Sequence, residues 1–372
     1  YPDKFIVPYI DIIHDRVVEE VFRGCIRGCR FCQAGFLYRP VREKSPEVVD
    51  RQCHELCEST GYDEISLSSL STSDYTQINP LLDRMLTWSK DEKTSISLPS
   101  LRVDGFQPQV MDKIKTVRRS GLTFAPEAGT QRLRNVINKN VTEEELMKTV
   151  NTAFSGGWST IKLYFMLGLP TETMEDVEGI AQLAQKVVDA YYANPARHKG
   201  RGVKVTVSAS AFIPKPHTPF QWEPQDTMEQ MEEKQHHMLC AVKSHKINPT
   251  WHDASTSLIE AVFARGDRRL GPALLEAHRC GCKMDGWEAG FSFERWLDVF
   301  RRSGIDPAFY ANRRRSFDEV LPWDHMDYGI SKEFLIRECK RAYAAQTTPN
   351  CREACSHCGA AQFGGGICYE RD

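Results

Sequence analysis

Long apolar runs are missing from this 372-residue chain, and none reaches the ~18–20 residues that a membrane-crossing helix needs. An excess of one charge is missing too: 48 Lys and Arg stand against 50 Asp and Glu, a formal net charge of -2. A general cationic coat for nucleic acid is thereby excluded. With 41% hydrophobic and 26% charged residues, wholesale disorder is excluded as well. There is no repeat of fixed period, although one cysteine spacing occurs twice. The start, Tyr1-Pro2-Asp3-Lys4, has no initiator Met and no charged-then-apolar targeting pattern, so the chain reads as an excised or processed piece of something longer. What the chain does have is cysteine, 13 in all, in a protein too large to need disulfides for stability. Such usage points to a reducing, cytoplasmic setting and to thiolates that hold metal.

Up to residue 210 short β-branched runs alternate with amphipathic stretches, the pattern of β-α units around a parallel sheet. Six strands are expected, at Val17 to Phe22, Glu64 to Ser69, Ser95 to Leu98, Leu122 to Ala125, Thr160 to Leu167 and Val203 to Ala209. Helices are expected near Pro46 to Glu58, Ile78 to Ser89, Pro108 to Lys115, Thr142 to Phe154 and Met174 to Tyr192. Six units are too few for a closed eight-fold barrel. The expected fold is α/β, a partial (β/α)6 TIM-like barrel, with an open doubly wound sheet as the alternative; either places chemistry at the carboxyl ends of the strands. A Pro-rich connector, Phe212 to Pro224, closes this part. The division expected is a barrel over 1–222, a mostly helical C-terminal region without strand alternation over 223–346, and a Cys-rich tail over 347–372.

Directly after the first strand stands Arg23-Gly24-Cys25-Ile26-Arg27-Gly28-Cys29-Arg30-Phe31-Cys32. Three thiolates spaced C-x3-C-x2-C, with two glycines between them, make a compact loop able to hold three corners of an iron-sulfur cube. A fourth iron without a protein ligand is open to substrate. Zinc is the competing reading, but no fourth ligand follows at zinc-finger spacing, and His54 falls inside a predicted helix. This loop, with an aromatic before its last Cys and its place after strand one of a partial barrel, resembles the radical S-adenosylmethionine (SAM) enzymes. The resemblance implies a 4Fe-4S cluster on Cys25, Cys29 and Cys32 whose open iron chelates SAM. It implies reductive cleavage of SAM to methionine and a 5'-deoxyadenosyl radical, with flavodoxin or ferredoxin as reductant.

The other strand ends then supply the groups that such a cofactor needs. After strand two, Ser69, Ser71 and Asp74 stand where the family binds the SAM amino group, although the usual Gly-Gly-Glu is absent; capping of the next helix is the plainer reading. Arg102, after strand three, would pair with the SAM carboxylate or form a surface ion pair. Glu127 lies in Phe124-Ala125-Pro126-Glu127-Ala128-Gly129-Thr130, which resembles the family's Gly-x-Glu-Ser-Gly element. Gly168 lies in Leu167-Gly168-Leu169-Pro170-Thr171-Glu172-Thr173, like the element beside the adenine, and Ile213 leads Ile213-Pro214-Lys215-Pro216-His217-Thr218-Pro219, also found near adenine in the family. These elements, with Ala264-Arg265-Gly266-Asp267-Arg268-Arg269 and Leu321-Pro322-Trp323-Asp324-His325, resemble a bacterial group of radical SAM proteins that carry an N-terminal cobalamin-binding domain. That domain would precede Tyr1; if it does, radical methylation with cobalamin is the implied reaction. RNA methylthiolation is the second reading, and a non-catalytic iron-sulfur electron carrier or scaffold the third.

The tail repeats the spacing at Cys351, Cys355 and Cys358, with nine residues between Cys358 and Cys368. A second iron-sulfur cluster, a structural zinc, with His357 as a further ligand candidate, and no metal are the three readings. Cys280 and Cys282 read as a loop pair, and Cys53 and Cys57, one helical turn apart, as core cysteines. Arg265, Arg268 and Arg269, and Arg313 to Arg315, would contact phosphates of an RNA or pair with local acids, and near-neutral net charge favours pairing. His252-Asp253 is a candidate substrate contact.

Overall fold

The computed structural model describes residues 2–99, 102–103, 122–197, 200, 202–364 and 366–371. The first part runs β1 (Val17–Glu20), β2 (Phe22–Arg23), α1 (Ala34–Leu37), β3 (Arg42–Glu43), α2 (Pro46–Thr60), β4 (Glu64–Ser68), α3 (Ile78–Ser89) and β5 (Ser95–Ser97). It continues with β6 (Leu122–Glu127), α4 (Gln131–Val136), α5 (Glu143–Ser155), β7 (Thr160–Leu167), α6 (Met174–Ala193), β8 (Lys204–Ala211), α7 (Met228–Ala241) and β9 (Ile247–Trp251). Helices α8 (Ala254–Ala264), α9 (Leu270–Arg279), α10 (Phe293–Arg302), α11 (Pro307–Ala311) and α12 (Lys332–Tyr343) follow.

Parallel strands pair in two runs, β1-β4-β5 and β6-β7-β8-β9, each strand beside its predecessor in the chain apart from the short hairpin β2-β3. Sequential order without a reversal is that of an α/β barrel wall, not of a doubly wound sheet. Register stacks apolar residues: Leu122 faces Ile161, Ile161 faces Val205 and Val205 faces Ile247. The helices start where their caps say. Ser45 accepts from the Val48 N–H at α2, and Thr142 with Glu145, Thr173 with Asp176 and Thr227 with Gln230 form capping boxes at α5, α6 and α7. Two apolar cores result. One joins Val17, Ile65, Leu67 and Ile96 to α2 and α3, and Cys53 and Cys57 are buried in it; the other joins Phe124, Ile161, Leu163, Val205 and Val207 to α5, α6 and α7. Each fully buried Val, Leu or Ile contributes ~1.5–3 kcal/mol.

Three differences from expectation have local causes. The first strand ends at Glu20, because Val21 donates to the Ser68 carbonyl and accepts from the Lys44 N–H, turning the chain into the β2-β3 hairpin. The sixth strand runs on to Ala211. The region expected to be mostly helical and without strand alternation contributes a seventh parallel strand, β9, and both the sheet and its core run past residue 222, through Ile247 and Ala254. Asn248-Pro249-Thr250 hides this strand, and Pro is tolerated there because β9 is the last strand of its run. The helix expected at 108–115, with Ser100, Leu101 and Asp104, lies outside the described residues. Among the described residues no helix is long and apolar enough to cross a membrane.

Candidate functional site

The cysteine loop leaves β2 at Gly24, whose φ of +94° belongs to the left-handed region and where a Cβ would lie 2.6 Å from the Tyr38 carbonyl oxygen. The loop thus folds flat against residues 38–41. Cys29 is buried, and Cys25 and Cys32 are half-buried. The Cys32 N–H donates to the Cys29 carbonyl at 3.0 Å, and the Arg27 N–H donates to Cys25 Sγ at 3.4 Å. Burial pushes the Cys25 thiol up to about 12, and the neighbouring Cys29 and Cys32 sulfurs add to it; burial and then Cys29 push Cys32 up too. Cys25 and Cys32, raised in this way, are thiols in the bare chain, and a positive centre would draw them to the thiolate form. This donor set fits iron. Among the described residues no three His, Cys, Asp or Glu side chains already stand close enough to share a metal, so in this loop and in the tail the sulfurs must turn inward to bind one.

Three arginines hold the loop. Arg30, fully buried, donates to the carbonyls of Val136 at 2.8 Å and Gln346 at 2.7 Å, and to the Glu338 carboxylate at 3.1 Å. It ties the loop to the end of α4 and to α12. Arg27 grips Asp74 with Nε and Nη2. Arg39, 6% exposed, donates to the carbonyls of Gly35 and Arg27 at 3.0 Å each. Asn138 adds a bond from its Nδ2 to the Gly28 carbonyl and accepts the Thr348 N–H at 2.8 Å. None of these residues was expected from the sequence to hold the loop; basic side chains inside a cysteine loop, at Arg27 and Arg30, are the signal that could have found two of them. Their partners are remote in sequence and were not legible.

The strand-end residues divide by what they touch. Glu127, at φ +68°, pairs with the buried Lys139 at 3.1 Å, and both act on the Cys32 sulfur, Lys139 lowering its pKa and Glu127 raising it. Arg102 donates to the Lys139 carbonyl at 3.0 Å, and its backbone N–H donates to Ser73. Phe31 packs against the apolar cluster that includes Leu133, Ile137 and Phe212. Ser71 donates to Asp74 at 2.6 Å and Ser69 bonds Thr72 at 2.9 Å, so with Arg27 on Asp74 this turn braces the cysteine loop. Gly168 lies against Asp226: a Cβ there would be 2.9 Å from the carboxylate, and its N–H donates to Glu172 at 2.7 Å. Ile213 joins the core of the C-terminal helices with Ile259, Val262 and Leu270.

Most of the basic runs serve structure. Arg265 is fully buried and donates to the carbonyls of Ala311 and Arg313, Arg313 pairs with Glu319 and Arg314 with Glu223, and Arg315 donates to the Arg265 carbonyl. Asp253 caps α8, and Cys280 lies against Glu276. Beside the exit of the cysteine loop a cavity of about 700 Å³ is lined by Gln33, Leu37, His217, Arg268, Trp323 and His325. It brings together three sequence elements that lie far apart in the chain, at 214–219, 264–269 and 321–325.

Residues 20–184 match the Radical SAM superfamily. An uncharacterized protein of Methanocaldococcus jannaschii is 32% identical over 286 residues, 77% of this chain and 60% of that protein. A protein of the same archaeon named as a methylthiotransferase is 24% identical over 42% of this chain and 36% of its own length. A protein of Pyrococcus horikoshii named as a methyltransferase is 27% identical over 46% of this chain and 37% of its own. The chain therefore spans 60% or less of each of these relatives. The family match covers the cysteine loop, β4, β6, β7 and the turns at their carboxyl ends, and this chain carries a radical SAM domain over residues 20–184.

Proposed function

We propose that the chain is a radical SAM enzyme in which Cys25, Cys29 and Cys32 hold a 4Fe-4S cluster with SAM at its fourth iron. The observation that carries this reading is a loop of three cysteines spaced C-x3-C-x2-C, clamped by Arg27, Arg30 and Arg39, within the matched domain. When bound, cluster and SAM supply a 5'-deoxyadenosyl radical by one-electron cleavage of the sulfonium. The chain's part is to fix the loop, to exclude water around the buried sulfurs, and to set Lys139 and Glu127 beside Cys32. Lys139 offers a cation to a carboxylate there, and Glu127 an acceptor to an amino or hydroxyl group. Substrate is taken in the cavity beside Gln33. The printed names of two relatives support transfer of a methyl or methylthio group as the outcome. Ion pairing of the arginine runs speaks against RNA as substrate.

The test is anaerobic reconstitution with iron and sulfide, addition of dithionite and SAM, and measurement of 5'-deoxyadenosine. Wild type is expected to form it, and Cys25→Ala, Cys29→Ala or Cys32→Ala to lose it. No product from fully reconstituted wild type overturns the reading.

A further inference from the structure

The radical SAM reading leaves the tail cysteines without a role, and four features converge on them. The backbone folds the tail as a second sulfur loop: His357 at φ +52° and Gly359 at φ +105° turn it back, and the His357 N–H donates to Cys355 Sγ at 3.4 Å. That is the bond the Arg27 N–H makes to Cys25, with the same offset of two residues. The loop is anchored, since the Cys351 N–H donates to the Ile26 carbonyl at 3.0 Å, one residue from Cys25, and the Cys358 carbonyl accepts the Ser331 N–H at 2.9 Å. Its far end closes on the same place: the Ile367 N–H, one residue before Cys368, donates to the Val41 carbonyl at 3.3 Å, and Ile367 and Cys351 pack in one core with Val41 and Ile26. Lastly, Arg39 is buried between the two cysteine loops: Nη2 donates to the Arg27 carbonyl at 3.0 Å, the Cys358 sulfur stands beside the guanidinium, and Nη1 meets no oxygen or nitrogen acceptor. A buried, unsatisfied cationic donor costs ~1–3 kcal/mol or more unless an anionic acceptor meets it.

We propose that Cys351, Cys355, Cys358 and Cys368 hold a second iron-sulfur cluster, seated against the first cysteine loop with Arg39 as its counter-charge. A cluster with four thiolates is anionic and presents sulfide acceptors on every face, whereas a zinc tetrathiolate presents only its four ligands. A sulfide of such a cube, beside the Cys358 sulfur, would meet the N–H of Arg39 Nη1. Four cysteine ligands would leave this cluster no open iron. It would be a companion to the first centre and no second SAM site.

The full chain is reconstituted anaerobically, and iron, sulfide and zinc are counted in three proteins: wild type, a Cys25→Ala, Cys29→Ala, Cys32→Ala variant, and a Cys355→Ser, Cys368→Ser variant. Two clusters of four irons give about eight irons per chain, and each variant is expected to keep half. The first variant, once reduced, is expected to retain the paramagnetic signal of a cluster. Loss of all iron from that variant, or one zinc in place of the retained half, overturns the proposal. Iron that survives in the first variant and vanishes in the second supports it even if no 5'-deoxyadenosine forms, which separates its fate from that of the catalytic reading. Cys355→Ser alone, at an exposed position, gives the same comparison should the double variant fail to fold.

Discussion

At the scale of single residues, the molecule depends on buried charges whose partners come from distant segments. Arg30 and Glu338 are both at most 2% exposed, and Thr348 Oγ1 also donates to that carboxylate. Arg30→Met is expected to cost about 3–5 kcal/mol, because it leaves Glu338 buried without its cation, whereas Arg30→Met with Glu338→Met should recover much of that loss. Urea unfolding of the two variants checks it. Glu172 gives a pH dependence. Burial pushes its carboxyl up to about 7, with Asp226 adding to the rise, while Lys234 at 3.0 Å and the Gly168 N–H work against it. Between the ordinary 4.5 and about 7 the folded chain keeps a proton that the unfolded chain has released. Stability from this group is therefore full below that window and falls as pH rises through about 7, by at most about 1.4 kcal/mol per pH unit. Unfolding free energies measured from pH 5 to 8 should show this decline, and Glu172→Gln should flatten it. The residue types at these positions were legible in the sequence, and the pairings were not. Nothing local to Arg30 names Glu338, 308 positions away.

At the scale of elements, strand and helix identity follows from patterns that need only neighbours. Ile78–Ser89 and Thr160–Leu167 form over the expected residues, because a 3.6-residue stripe and a β-branched run bounded by turns encode themselves. β9 was missed because a strand at the end of its run tolerates Pro and exposed polar residues, so its pairing with β8 defines it more than its composition does. Packing of elements at contact distance makes a further prediction. Gly129 sits where β6 meets α6, and a Cβ there would run into the backbone of Asp176, Gly179 and Ile180. Gly129→Ala is expected to cost on the order of 1–3 kcal/mol and, by displacing the end of β6 with Glu127, to lower the yield of 5'-deoxyadenosine as well. Gly271→Ala, inside α9 with nothing within 4 Å of the new methyl, is the control, expected to leave that yield unchanged and to raise stability by ~0.4–1 kcal/mol. Thermal melts and the product assay on both variants check the contrast.

At the scale of the whole molecule, the tail lies against the cysteine loop. Arg352 donates to the Asp74 carbonyl and to Glu43, both at 2.6 Å, and Asp74 in turn holds Arg27 of the cysteine loop. Arg352→Ala is expected to speed the loss of iron from that loop to a chelator several-fold without changing the iron loaded at the start. Time courses of chelated iron, compared with wild type, measure it. The cysteine count with which the chain announces itself, 13 in all, divides accordingly. By itself the sequence determined the three-cysteine loop, the alternation that makes parallel β-α units and the residue types at the strand ends, because each rests on spacing within a few turns of chain. Only the tertiary structure decided that Asp74 braces the loop, that Lys139 joins Glu127 beside Cys32, that the sheet carries a seventh strand, and that the tail lies against the first loop with Arg39 between them. Burial and hydrogen-bond satisfaction select such contacts among segments as far apart as the 308 positions between Arg30 and Glu338, and no local pattern records them.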